Sequence, residues 1–222
     1  MWCVGILDEE YNRRMEDVLA VYEKPLSEQE PVVCVDEKPV VLHREVRPAM
    51  RMKPGRVARR DGEYERCGTA NVFCGVEPKA GRHFPKVTAN RSSPEFADYL
   101  LEMAEKYPAA DTIHLVLDNL SSHTRKAVVE RFGEEAGSWL WERFTVHYTP
   151  KHGSWLKQAE IALSLYARPC LGRRRIGDTD FLQQETRAWS RRVNRDRVQI
   201  EWKFTRHKAR QKFGYTFTRS RY

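Results

Sequence analysis

The apolar residues of this chain follow two patterns, short continuous runs and stripes at helical spacing. Short runs bounded by turn residues are typical of strands buried on both faces of a sheet. A turn is predicted over 78–81, which begins with proline and ends with glycine. The predicted strands are the run PVVCV that ends at Asp36, residues 69–76, Arg82–Thr88, Ile113–Leu117 and Phe144–Tyr148.

Between these runs, apolar residues recur three and four positions apart, as on one face of a helix. Strands that come first and then alternate with helices indicate an α/β fold, a mixed sheet flanked by helices. Ser93 is predicted as an N-cap with Pro94 in the first turn. The predicted helices are the stripe Tyr11, Met15, Val18, Leu19 and Tyr22, the segment that starts at Ser93, residues 123–132, the segment SWLKQAEIALSLY with Ser154 as N-cap, and residues 181–193.

Three carboxylates occupy positions where a folded chain has little reason to place them. Asp36 and Asp118 each end an apolar run. Glu160 lies within a helical stripe, four residues after Leu156 and three before Leu163, so its carboxylate is expected to point inward. An ionised carboxylate that faces a core is costly unless a partner, a raised pKa or a bound cation compensates it.

As a set, the three acids indicate a divalent-metal site. Hard cations such as Mg2+ take oxygen ligands, and two ions about 3.5 to 4 Å apart can hold the attacking and leaving oxygens of a phosphoryl transfer. Taken singly, an aspartate after a strand is more often a turn residue or a helix cap. No serine or cysteine has the context of a nucleophilic triad, so metal-assisted phosphoryl transfer is the predicted chemistry.

The motifs around these acids resemble those of a known family. The blocks VDEKP, LVLDNLSSH, YTPKHGSWLKQAEIALS, CLGRRRIGD and RAWSRRVNRDR occur in this order. From about residue 31 to 215 the chain closely resembles the catalytic domain of bacterial insertion-sequence transposases of the six-thirty group, relatives of the Tc/mariner elements. The resemblance implies an RNase H-like fold with a mixed five-stranded sheet. It also implies that Asp36, Asp118 and Glu160 form a DDE triad that binds two Mg2+ or Mn2+ ions, cuts DNA at transposon ends and joins the freed 3′-hydroxyl to a target.

Two features of the chain depart from that family's pattern. The interval between Asp118 and Glu160 is longer than the usual mariner-type gap, and the extra length is expected around GEEAGSWLWERF. Lys157 stands where related sequences usually carry asparagine. The second departure changes a polar contact just before the third acid.

Transposases of this group carry helix-turn-helix domains ahead of the catalytic core, which recognise the ends of the element. Only 35 residues precede Asp36, so we expect those domains to be absent from this chain. The chain would then be a truncated product, the downstream half of a frameshifted pair or an isolated core. Two hypotheses stand: a catalytic domain with poor sequence specificity, and a non-catalytic remnant that binds DNA or associates with a full-length transposase. The resemblance also implies at least a dimer on DNA.

Basic residues are concentrated at the C-terminal end. Residues 168–222 contain 16 Lys or Arg against five Asp or Glu, whereas the formal net charge of the whole chain is +8. Contacts of Lys and Arg with phosphates give sequence-independent affinity, so this part is predicted to bind DNA; a solvated helix face is the alternative. For His123 the alternative is helix capping or a solvent-facing position, and the C-terminal aromatic residues are interpreted as core anchors. The predicted DNA-binding residues are Lys38, His123, Lys151, His152, Arg173, Arg174, Arg175, Arg191 and Arg192.

Composition excludes several other classes. The five cysteines form no CxxC pair, which argues against a disulfide framework and a zinc ribbon, and Cys67 and Cys74 are predicted to be strand residues. No run approaches the roughly 20 apolar residues of a membrane span, and no signal peptide is visible, so we expect a bacterial cytoplasmic, nucleoid-associated protein without a membrane partner. The predicted organisation is a helical lead-in over 1–30, a catalytic core over 31–172 and a basic helical extension over 173–222 that packs on the core.

Overall fold

A mixed five-stranded sheet lies at the centre of the structure, a computed structural model that describes residues 7–50, 52–172 and 174–216. The strands have the spatial order β3-β2-β1-β4-β5. Pairs β1–β2 and β2–β3 are antiparallel, whereas β1–β4 and β4–β5 are parallel. The bounds are β1 Val32–Glu45, β2 Tyr64–Glu77, β3 Arg82–Thr88, β4 Ile113–Leu117 and β5 Phe144–Tyr148.

The sequence predicted β3, β4 and β5 with their observed bounds, but β1 and β2 are longer than predicted. Strand β1 continues through Asp36 to Glu45, because its second half pairs with β2 over Lys38↔Val72 and onward, past an irregularity between Val41 and His43. Beyond the acid, burial alternates along the strand instead of being continuous. The hydrophobic run therefore marks only the part of β1 that is covered on both faces.

Helices flank the sheet, and their starts differ slightly from the prediction. Ser92 precedes α2 where Ser93 was expected, and the side chain of Thr124 caps α3 through the amide of Ala127. Ser154 begins a separate 3-10 turn, so the prediction that it caps α5 was wrong. The bounds are α1 Glu9–Glu23, α2 Ser93–Glu105, α3 Arg125–Phe132, α4 Glu134–Glu142, α5 Gln158–Tyr166, α6 Thr179–Arg195 and α7 Arg206–Phe213, with a 3-10 turn over Ser154–Leu156 and a π turn over Ala167–Leu171.

The two faces of the sheet carry separate apolar clusters. Val33 and Val35 of β1 face α2, α3 and α4, whereas Cys34 faces α1 and α5. All five residues of β4 are buried, and four of them are apolar. Helix α4 supplies the extra length before the third acid, where the sequence predicted it.

A chain of polar side chains ties α1 to β4 and β5. The Lys24 ammonium lies 2.7 Å from His114 Nε2, and His114 Nδ1 lies 3.0 Å from His147 Nε2. His147 Nδ1 lies 2.8 Å from Asp17 Oδ2. Because the ammonium can only donate, the order of donation runs from Lys24 to Asp17. Burial, and then the positive charge of Lys24 and the neighbouring His147, lower the pKa of His114.

The segment after α6 lies against the hairpin formed by β2 and β3. Asn194 of α6 accepts from the His83 amide at 2.7 Å and donates to the His83 carbonyl at 2.8 Å. The Ile200 amide donates to the Pro78 carbonyl, and a Cβ placed on Gly81 would lie 2.6 Å from the backbone of Arg197. These contacts attach the basic C-terminal segment to the sheet; the division of the chain into three parts stays a prediction.

Aromatic side chains of the C-terminal segment pack inward, as predicted. Trp189 is buried between His83 and Tyr166, and Phe204 and Phe213 pack with Trp155. Helix α7 is also held to α1, since Glu16 accepts two hydrogen bonds from the guanidinium of Arg210 and one from the hydroxyl of Tyr215.

The positions of two cysteines agree with the prediction from the sequence. Cys67 and Cys74 both lie in β2, which confirms their assignment as strand residues. Across the described parts of the chain, no helix combines the length and apolarity that crossing a membrane requires.

Candidate active site

The first two acids lie next to each other because of the register between β1 and β4. Cys34 is paired with Val116, and continuing this parallel register by two residues brings Asp36 opposite Asp118, which directly follows β4. Functional groups of parallel strands collect where those strands end. The two aspartates therefore emerge side by side.

A buried lysine joins these two aspartates. The Lys157 ammonium lies 2.7 Å from Asp36 Oδ1 and 3.0 Å from Asp118 Oδ2. Its side chain is 5% exposed. Although burial acts in the opposite direction, the two carboxylates raise the pKa of Lys157, so it carries a positive charge between them.

The backbone of Lys157 is held in place by its neighbours. It is the residue between the 3-10 turn and α5, with an extended conformation at φ −75° and ψ 109°. The hydroxyl of Tyr22 donates to the carbonyl of Leu156 at 2.8 Å. Leu156 itself is buried in the apolar cluster on the α1 and α5 face of the sheet. Helix α1 thus fixes the residue from which the ammonium reaches the two acids.

A second polar neighbour of Asp118 is His123. His123 Nδ1 lies 2.8 Å from Asp118 Oδ1, and its side chain is 1% exposed. Burial tends to raise the pKa of Asp118, but His123 and Lys157 outweigh it and hold that pKa well below its usual value. Asp118 is therefore ionised throughout the physiological pH range.

Glu37 lies behind His123, on the opposite face of β1 from Asp36. Its side chain is 2% exposed, and Oε2 lies 3.7 Å from His123 Nε2. Neither carboxylate oxygen has a hydrogen-bond partner among the described residues. Burial, partly offset by His123, raises the pKa of Glu37. The alternation along β1 thus points Glu37 away from Asp36, and His123 links it to the second acid.

Glu160 does not point into the core, and that expectation was wrong. The buried face of α5 consists of Gln158, Ala159, Ala162, Leu163 and Tyr166, whereas Glu160 is exposed. Leu156 belongs to the separate 3-10 turn, so the spacing of four residues from Leu156 to Glu160 does not measure one helical face.

The negative charge of Asp36 nevertheless affects the Glu160 carboxylate. Partial burial of its carboxylate, and next the negative charge of Asp36, raise the pKa of Glu160. Within residues 7–50, 52–172 and 174–216, no three His, Cys, Asp or Glu side chains are grouped closely enough to hold a metal ion. The structure thus brings together Asp36 and Asp118 and leaves Glu160 at the rim.

The donor chemistry of this site fits a hard divalent cation. Carboxylate oxygens are the ligands that Mg2+ and Mn2+ prefer. Asp36 and Asp118 already direct one oxygen each at a single positive charge, the ammonium of Lys157. Asp36 and Asp118 are therefore the residues of this site whose chemistry suits such an ion.

Four of the predicted DNA-binding residues surround this site. Lys38 lies two residues beyond Asp36 and is half-buried. Lys151 and His152 are exposed and line an open cleft that reaches Asn119, the residue after the second acid. His123, by contrast, is buried against Asp118, so the alternatives of helix capping and a solvent-facing position were wrong.

The predicted arginines fall into two groups. Arg175 bonds within the chain, to Glu45 and to the carbonyls of residues 61–63, and Arg174 pairs with Glu185 at 2.9 Å. Arg191 and Arg192 are exposed on α6 and form no salt bridge within the described part of the chain. Arg173 lies outside the described residues. DNA contact by these residues stays a prediction, and the free guanidinium groups of α6 are its best candidates.

Comparison with known proteins identifies the family of this site. A family model described as DDE superfamily endonuclease matches residues 31–183, which include all three acids. The chain belongs to the DDE superfamily endonucleases. A comparison with curated proteins finds no match.

Solved structures of a mariner transposase share the fold of this DDE superfamily member. It is similar to the Mos1 mariner paired-end complex with Mg, at 14% identity and a TM-score of 0.52, over 98% of this chain and 66% of that one. It is also similar to the Mos1 mariner paired-end complex with Mn, at 16% identity and a TM-score of 0.50, over 89% of this chain and 64% of that one. The likeness confirms the predicted RNase H-like architecture, and the chain spans less than two thirds of the length of those transposase chains.

Sequence reasoning missed the central contact of the site. Lys157 was recognised as a departure from the family pattern, but not as the partner of the first two acids. A signal was present, because a lysine directly before an apolar helix and close to a predicted acidic site has carboxylates within its reach. The burial of Glu37 had no such signal, since it depends on how α2 and His123 cover β1.

Proposed function

We propose that this DDE superfamily endonuclease is the catalytic domain of a transposase, which cleaves DNA strands and joins them to a target with the help of divalent metal ions. In this proposal Asp36, Asp118 and Glu160 are the metal ligands. The observation that carries it is the pair of adjacent aspartates, which direct their oxygens at one cation at the carboxyl end of β4. Membership in the endonuclease family supports the same chemistry.

The residues of the site have distinct roles in this proposal. Asp118 is kept ionised by His123 and Lys157, so it offers a negatively charged oxygen at neutral pH. His123 also fixes the orientation of that carboxylate, because it is buried and cannot turn toward solvent. Glu160, at the exposed rim, completes the ligand set from α5. When bound, divalent ions lower the pKa of the attacking hydroxyl and stabilise the leaving oxygen.

DNA is the proposed substrate, and two surfaces suit its phosphates. The first is the cleft with Lys151 and His152, close to the second acid. The second is the outer face of α6 with Arg191 and Arg192. Basic side chains at both places can contact phosphates without a demand for particular bases, which suits cleavage that relies on other domains or another chain for sequence recognition.

A plasmid-nicking assay tests the proposal. Supercoiled plasmid is incubated with the protein and Mg2+ or Mn2+, and in parallel with a chelator. Nicking is expected only with metal, and Asp36→Asn, Asp118→Asn and Glu160→Gln should each reduce it to the metal-free background. Glu130→Gln, an exposed carboxylate on α3, is the control variant and should nick like the wild type. Metal-independent nicking, or nicking that persists in all three site variants, would refute the proposal.

A second candidate is a non-catalytic remnant that binds DNA or associates with a full-length transposase. It is favoured by Lys157, because the ammonium partly compensates the charges of Asp36 and Asp118 without any metal. The same assay separates the two candidates. The remnant would shift DNA in an electrophoretic gel but would nick it under none of the metal conditions.

A further inference from the structure

We propose that Lys157 is a built-in competitor for the divalent cation, whose ammonium occupies the position between Asp36 and Asp118 and must leave it before a metal ion can bind there. This inference rests on the proposed function, since it concerns the same two ligands. It adds a property that the other site residues do not have: metal binding in this chain is coupled to the movement of a side chain.

The contacts of Lys157 are those that a metal ion would need. Its Nζ lies 2.7 Å from an oxygen of Asp36 and 3.0 Å from an oxygen of Asp118. The same nitrogen atom thus contacts one oxygen of each carboxylate. A cation that bridges the same oxygens cannot occupy that space together with the ammonium, because both the volume and the like charge exclude it.

Charge explains why the ammonium stays there in the absence of metal. Two adjacent carboxylates on β1 and at the end of β4 would repel each other, and burial would make that repulsion stronger. A single positive charge between them leaves the trio with a net charge of −1. The site therefore still attracts a divalent cation, and the ammonium and the metal compete for one position.

The side chain of Lys157 can leave while its backbone stays in place. Tyr22 and the buried Leu156 fix the backbone next to it. The four-carbon stem of lysine has several rotatable bonds, so the ammonium can move away without unfolding the turn. An asparagine at this position is too short and uncharged, and it would leave the space between the two acids open.

Binding of Mn2+ to the purified protein, measured by isothermal titration calorimetry, tests the competition. If the ammonium holds the position in about nine molecules of ten, the apparent Kd is raised about tenfold over that of the open site. We therefore expect Lys157→Asn and Lys157→Gln to bind Mn2+ about tenfold or more tightly than the wild type. Lys126→Asn removes the same charge from an exposed position on α3 and should bind Mn2+ like the wild type. Asp118→Asn should bind weakly whether or not Lys157 is present.

A measurement on the wild-type protein covers the case in which the Lys157 variants do not fold. An amine-reactive reagent is applied with and without saturating Mn2+, and modification of Lys157 is read by mass spectrometry of its peptide. Modification should increase several-fold with Mn2+, because the metal displaces the buried amine. Unchanged modification at saturating Mn2+ would overturn the proposal.

The outcomes separate this inference from the proposed function. Equal or weaker Mn2+ binding in Lys157→Asn and Lys157→Gln, together with loss of binding in Asp118→Asn, would overturn the competition and leave the metal site standing. Absence of Mn2+ binding in the wild type and in every Lys157 variant would overturn both. Tighter binding in both Lys157 variants, with Lys126→Asn unchanged, supports the competition.

Discussion

Replacement of Gly81 by alanine tests whether the basic C-terminal segment packs against the β2–β3 hairpin. Gly81 has φ +64°, the left-handed region, and a Cβ built on it would lie 2.6 Å from both the carbonyl carbon and the carbonyl oxygen of Arg197. The obstructing atoms are backbone, so a side-chain rotation cannot remove the collision. The loop around Arg197 or the hairpin turn must shift instead.

The expected loss of stability has two parts. A non-glycine residue in the left-handed conformation costs about 1 to 2 kcal/mol. Forcing an extra carbon into packed atoms costs about 1 to 3 kcal/mol more. Gly214 provides a matched control, because its φ is +65° and a Cβ there would meet nothing within 4 Å in the described part of the chain. Gly214→Ala should therefore show the first part alone.

Urea unfolding followed by circular dichroism measures both variants. Gly81→Ala should lose about 1 to 3 kcal/mol more than Gly214→Ala, with the slope against urea concentration unchanged. The backbone effect is similar in the two variants and cancels in their difference. If the two variants lose the same free energy of unfolding, the segment after α6 does not lie against the hairpin, and the reasoning on the docked C-terminal segment is wrong.

Two further predictions concern pH and DNA. The pKa of His114 is lower in the folded than in the unfolded state, so folding favours the neutral imidazole. The stability that His114 contributes is complete above the usual pKa of 6.5 and is lost as the pH falls below that value and through the lower pKa of the folded state. The difference in thermal stability between the wild type and His114→Gln should therefore shrink from about pH 7.5 to about pH 5, and parallel curves would contradict this. In DNA binding measured by fluorescence anisotropy, the combined substitution Arg191→Ala and Arg192→Ala should reduce the slope of log K against log salt by about 0.9 for each phosphate that these arginines neutralise. Arg175→Ala, which removes bonds within the chain, should lower thermal stability and leave that slope nearly unchanged; the reverse pattern would refute the assignment of the DNA surface to α6.

The sequence by itself determined the local elements and the family. Short segments bounded by turns and helices predicted β3, β4 and β5 with their observed bounds. The runs PVVCV and IHLVL marked the strands that lead to Asp36 and Asp118, and the order of the motif blocks indicated the transposase-like family. These properties depend on residues close together in the chain, so periodicity and motif order are sufficient to find them.

Only the tertiary structure decided how the site is arranged. Glu160 lies off the buried face of α5 because a 3-10 turn shifts the phase between Leu156 and α5, which spacing alone does not reveal. The placement of Lys157 between the two aspartates depends on the register of β1 with β4 and on the anchoring of the turn by Tyr22. Such contacts join residues that are far apart in sequence, and their geometry is set by packing between elements rather than by the pattern within any one of them.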